Sequence, residues 1–132
     1  MELQIQMLGN KRVSATFDGL TVMTDQPKDS GGEGTAPAPF DLFLASIGTC
    51  AGFFIQSFCQ ARQLDSSKIK ITQSVKWNDE SHHVDEIQLK IDVPADFPEK
   101  YLPALLKTVD SCTVKKHLAA PPQIKVMTAK ID

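Results

Sequence analysis

Three cysteines are the residues of this 132-residue chain best suited to chemistry, and two of them share one apolar stretch. Cys50 and Cys59 lie within "APFDLFLASIGTCAGFFIQSFCQARQ", residues 38–63, and Cys112 stands in "SCTVKKHLAA" further along. A thiol attacks only as the thiolate, so its surroundings decide whether it reacts. Nine residues separate Cys50 from Cys59. At about 100° per residue that spacing sets them on opposite faces of a helix, so they are neither one site nor a disulfide within one chain. Asp41, nine residues before Cys50, points the way Cys59 does. Ser111 is a good helix N-cap, which puts Cys112 in the first turn of a short helix. Free N–H groups and the helix dipole there favour a thiolate. Lys115 and Lys116 add positive charge, so the residues alone make Cys112 the more acidic thiol. The competing reading of each cysteine is a buried, inert side chain, and Cys59 is read that way, as a small hydrophobe.

The remaining candidates are weaker. His82 and His83 sit in a polar turn and His117 in a short helical segment, none with zinc-ligand spacing to the thiols. They read as surface histidines, and no metal is expected. "GGEG", residues 31–34, lacks the Lys-Ser/Thr of a phosphate loop, so no cofactor is expected there either. Trp77 is expected in the core.

The elements that must position these thiols follow from periodicity. Leu3, Ile5 and Met7 share one face of a first strand, and Val13, Ala15 and Phe17 one face of a second. Asp18-Gly19 suits a two-residue hairpin into a third strand at residues 20–24. Residues 25–39 are rich in Gly, Pro and Ser and form a long loop, a length that points to function or mobility. Pro39 opens the apolar helix. Ile69, Ile71, Val75 and Trp77, then Ile87, Leu89, Ile91 and Val93, alternate as two strands joined through "NDESHH". "KYLPALLKTV" reads as a helix with Tyr101, Leu102, Leu105, Leu106 and Val109 inward, "SCTVKKHL" as a second, and "QIKVMTAKI" as a final strand. The order βββ–α–ββ–αα–β describes an α+β fold in a single domain over residues 1–132.

Composition narrows the function. With 42% apolar and 23% charged residues and a net charge of −2, nothing suggests nucleic acid as partner. A membrane span needs roughly 20 apolar residues. The central helix approaches that length but carries Asp41, Ser46, Thr49, Gln56 and Ser57, and a core helix is the better reading. An odd cysteine count and the absence of a leader pattern in "MELQIQML" point to a reducing cytoplasm. A helix apolar on every side needs cover on every side, and a chain of this size supplies too little. A second subunit, in a homodimer, is the expected cover.

"GTAPAPFDLFLASIGTCAGFFIQSF" followed by "SCTVKKHLAA" resembles the osmotically inducible protein C and organic hydroperoxide resistance (OsmC/Ohr) family. Pro39 and Cys50 keep the family's spacing between the proline that opens a long buried helix and its cysteine, and Cys112 opens a short helix before the last strand. The resemblance spans essentially the whole chain. It implies an OsmC-like fold, with antiparallel sheets around a long central helix, in an intertwined dimer. It also implies thiol chemistry on organic hydroperoxides, with Cys50 the peroxidatic residue, Cys112 the resolving one and a dithiol as reductant. Two positions depart from the family's peroxidases. Phe40 stands where they carry a Glu, and the loop before the helix offers Lys28 and Glu33 but no Arg; Arg12 and Arg62 lie elsewhere. A cysteine in an apolar helix with no cation is expected to stay protonated. The alternative is therefore a dimeric OsmC-like protein that binds a small apolar ligand and uses its thiols weakly.

Overall fold

The computed structural model describes residues 1–132. The chain falls into two compact units, Met1–Ser46 and Ile47–Asp132. In the first, β1 (Gln4–Gly9), β2 (Arg12–Phe17) and β3 (Leu20–Thr24) form an antiparallel sheet in that order. Asp18 and Gly19, at φ 49° and 76°, make the tight turn that sets the β2–β3 register, pairing Ala15 with Val22. The alternating face of β1 is not half-buried as its pattern suggests: Ile5 is 59% and Met7 79% exposed.

The loop after β3 is ordered rather than featureless. Asp25 is fully buried, and its carboxylate accepts bonds from the N–H groups of Gln26 (2.7 Å) and Thr35 (3.0 Å) and from the Thr35 hydroxyl (2.6 Å). The Thr35 hydroxyl and N–H are the strongest causes holding the Asp25 carboxyl down at about 2, against the opposing effect of burial. A 3₁₀ turn at Lys28–Ser30 lies within the same loop.

Helix α1 (Pro39–Ala61) starts at Pro39 as expected, with Asp41 accepting from the N–H of Ala38 at 3.0 Å. That bond is half of a capping box, which gives Asp41 a structural task. In the second unit, β4 (Lys70–Asn78) and β5 (His83–Asp92) form an antiparallel hairpin that pairs Ile71 with Ile91 and Val75 with Ile87. A register shift between Lys76 and Trp77 interrupts the ladder. Trp77 is half exposed, so it is not the core residue its strand position suggested. Helices α2 (Leu102–Asp110) and α3 (Thr113–Ala119) follow.

Ile47, Ala51, Ile55, Phe58 and Cys59 form the buried stripe of α1, at the spacing of one helical face. Ala51, Ile55, Phe58 and Cys59 pack with Phe97, Leu105 and Val109, against the half-buried Ile69, Ile71, Leu89 and Ile91. Each fully buried Leu or Ile contributes about 1.5–3 kcal/mol to holding this arrangement. Gly48 permits a close approach to the sheet, since a Cβ there would stand 2.6 Å from the Gln73 carboxamide oxygen. By length and composition α1 could cross a membrane, but its inward face is the core of the second unit. Its opposite side is open: Phe53 is 62% exposed.

Two further expectations change. Leu106 is 58% exposed rather than inward; α2 buries Leu105 and Val109, with Leu102 packed against the same core. Residues 121–132 form no strand, and Ile124, Val126 and Ile131 are at least 85% exposed. A strand requires a partner edge, and none in this chain receives the segment.

Candidate functional site

Cys50 and Cys112 meet although 61 residues lie between them, because α2 returns along α1 and stops beside it. Tyr101, just before α2, packs edge-on to Phe58 at 6.1 Å, while Cys112, just after α2, reaches Cys50. The helix pair is thus antiparallel, clamped by Leu105 and Val109. Cys112 is the N-cap of α3, with φ −53° and ψ 129°. Ser111, expected in that role, closes α2 instead, its N–H bonded to the Thr108 carbonyl at 3.1 Å.

The two thiols are unequal. Burial pushes the Cys50 thiol up, but hydrogen bonds from the Cys112 S–H and from the N–H groups of Val114 and Thr113 outweigh it, and its pKa lies below the ordinary thiol value. Burial pushes the Cys112 thiol up as well, and there donating its proton to Cys50 adds to the rise; bonds from Lys115 and Val114 offset only part. Cys50 is therefore the acidic member, the reverse of the assignment from helix position alone. The N–H groups at the start of α3 are aimed at the neighbouring sulfur rather than reserved for the cysteine that caps them. The Cys50 pKa is lowered by backbone amides and a thiol, with no guanidinium among the causes. Cys50 is partly accessible, whereas Cys112 is 2% exposed.

Phe40 stacks on Phe43 at 5.2 Å. Lys28 lies in the 3₁₀ turn and Arg12 on β2. Arg62 lies 3.6 Å above the Phe58 ring and donates to the Phe58 carbonyl at 3.1 Å. Cys59 is fully buried; burial raises its pKa, and the charge of Arg62 offsets this only in part. No three His, Cys, Asp or Glu side chains converge where an ion could be held. A cavity of about 410 Å³ opens one turn from each thiol, lined by Ile47, Val109, Ile87, Leu89 and Leu118, with the Asp110–Lys115 ion pair at its edge. Sequence reasoning missed the amides of Thr113 and Val114, because backbone donors leave no residue-type signal.

The chain belongs to the OsmC-like proteins, whose sequence profile matches residues 32–127. Solved structures carry the same fold. A Psychrobacter arcticus protein of osmotic stress and detoxification response is 22% identical, with a TM-score of 0.73, covering 86% of this chain and 85% of that one. An OsmC-like protein from Mycoplasma pneumoniae is 16% identical, with a TM-score of 0.68 and coverage of 92% and 89%. The organic hydroperoxide resistance protein OsmC of Legionella pneumophila is 20% identical, with a TM-score of 0.56 and coverage of 89% and 87%. Among curated protein sequences there is no match.

Proposed function

We propose that the chain is a thiol-dependent reductase of organic hydroperoxides acting through Cys50 and Cys112. The observation that carries this reading is the asymmetric pair: an accessible sulfur stabilised as thiolate beside a buried thiol that donates to it. The Cys50 thiolate attacks the terminal oxygen of ROOH, the O–O bond breaks, and RO⁻ leaves as ROH after taking a proton. Cys50 is then a sulfenic acid. The Cys112 sulfur attacks it, water departs, and the Cys50–Cys112 disulfide awaits two electrons from a thiol reductant. The apolar cavity beside the pair suits the hydrocarbon part of such a hydroperoxide.

The working form in this reading is a homodimer. Ile5, Met7, Phe53, Ile124 and Val126 are too apolar and too exposed to be left in water. The alternation in residues 121–132 suits a strand completed by a second copy. Replacing Val126 and Ile124 by Lys should convert a dimer to a monomer in light scattering. An unchanged mass would remove the dimer from the account.

The alternative, an OsmC-like protein that only binds a small apolar molecule, draws on the same cavity. Treating the reduced protein with a slight excess of cumene hydroperoxide separates the two. Reduction of the peroxide with formation of a Cys50–Cys112 disulfide, both abolished in Cys50→Ser, supports the enzyme. Thiols that stay free while peroxide persists leave the binding protein.

A further inference from the structure

The two amides that lower the Cys50 pKa sit on an element with little of its own to hold it. Helix α3 has seven residues and no buried side chain; Val114 is half-buried and the other six are exposed. An isolated helix so short is not stable in water. Residues 120–132 beyond it are exposed throughout and add no anchor within this chain. What holds α3 is its corner with α2. Backbone bonds fix the approach, the Ser111 N–H to the Thr108 carbonyl at 3.1 Å and the Cys112 N–H to the Val109 carbonyl at 3.1 Å. A side-chain bond then crosses the corner, the ion pair between Asp110 at the end of α2 and Lys115 in the first turn of α3. His117 Nδ1 lies 2.7 Å from the Thr113 carbonyl, but that tie is internal to α3. Cys112, Thr113 and Val114, the three residues that donate to Cys50, lie between the two charges in sequence.

Each charge works against its own helix. A carboxylate at a C-terminus and an ammonium in a first turn both oppose the helix dipole. Local preference gives no reason for either, whereas a bond across the corner gives one for both. Neither charge is among the causes that set the Cys50 pKa, so the pair bears on that sulfur through position.

We propose that Asp110 and Lys115 are positioning residues, whose ion pair holds α3 at the angle at which the N–H groups of Thr113 and Val114 meet Cys50. The inference rests on the thiol pair of the proposed function and deepens it, by naming what keeps the donors of the nucleophile aimed. The Lys115 side chain is 55% and the Asp110 side chain 68% exposed, so the strap is a modest one. It has leverage because only Ser111 and Cys112 join the two helices it ties.

Competitive alkylation of the reduced full-length protein across pH, with no peroxide present, reads the outcome in wild type, Asp110→Asn and Asp110→Glu. The direction of the change separates position from charge. If the pair only lent charge, removing a carboxylate near the thiols would lower the Cys50 midpoint. Loss of aim raises it: Asp110→Asn should move the midpoint up by about half a pH unit, the order that an exposed ion pair can supply. Asp110→Glu keeps a carboxylate for Lys115 and should stay close to wild type. The Cys59 midpoint should stay fixed in all three proteins, which a general loosening of the fold would not allow. A Cys50 midpoint unchanged or lowered in Asp110→Asn, raised equally in Asp110→Glu, or moving together with that of Cys59 overturns the proposal and leaves the proposed function intact. Absence of hydroperoxide turnover in wild type does the reverse, striking the function while the alkylation result stands.

Discussion

Cys50 and Cys59 lie nine residues apart on one helix and receive opposite treatment. Cys59 has a guanidinium in its neighbourhood and still has a raised pKa; Cys50 has none and has a lowered one. The difference lies in what points at the sulfur. Arg62 spends its donors on the Phe58 carbonyl and its face on the Phe58 ring; at Cys59, burial raises the pKa most, the Arg62 charge lowers it, and the Asp65 charge raises it again. Cys50 receives three aimed donors, the Cys112 S–H and two backbone amides. A directed hydrogen bond in a low-dielectric site outweighs a charge whose hydrogen bonds are used elsewhere. The family resemblance implies an Arg and a Glu near the nucleophile of its peroxidases; here the donors that lower the Cys50 pKa are Cys112 and the start of α3.

The sharpest way to break this contrast is by substitution at each cysteine. Cys50→Ser should lower hydroperoxide turnover by roughly a thousandfold or more, as removal of a nucleophile does. Cys59→Ser should leave turnover unchanged in the same assay. Its cost should fall on stability instead, about 1–3 kcal/mol in urea denaturation, because a hydroxyl is buried among Phe58, Leu105 and Val109 without an assured partner. Cys112→Ala should act on chemistry without removing the nucleophile. It deletes one of the three donors, so the Cys50 pKa rises, and it leaves the sulfenic acid unresolved, to be trapped by dimedone and seen by mass spectrometry.

Much of the helix-and-strand order was legible in the sequence because period-two and helical spacing survive in the folded chain, from Val13–Ala15–Phe17 to Leu102–Leu105–Val109. Pro39, the Asp18-Gly19 turn and the opposite facing of Cys50 and Cys59 were legible for the same reason. What was not legible depended on partners. The pattern of residues 121–132 is that of a strand, but a strand exists only beside another edge. Asp25 gave no signal, since its meaning depends on Thr35 folding back onto it. The order of the thiol pKa values was misjudged because helix position was read without knowing which sulfur the amides face.

Two smaller effects sharpen the comparison further. A raised pKa at Cys59 means that folding favours its neutral form. Its contribution to stability is complete below the ordinary thiol value of 9.0 and is lost as pH rises through the higher folded value. Cys59→Ala should therefore flatten the alkaline fall in thermal midpoint, whereas Cys50→Ala should not. Arg62→Met should raise the Cys59 pKa further and cost about 0.5–1 kcal/mol from the lost ring contact, read by chemical denaturation.

The central claim is that Cys50 is held as the acidic thiol by Cys112 and the backbone of α3, without an arginine. Competitive alkylation of the reduced protein across pH, with each cysteine followed separately by mass spectrometry, tests it directly. Cys50 should react at a lower pH than either Cys112 or Cys59, and its midpoint should move upward in Cys112→Ala. A Cys50 midpoint at or above that of an ordinary thiol, or one indifferent to Cys112→Ala, would contradict the account.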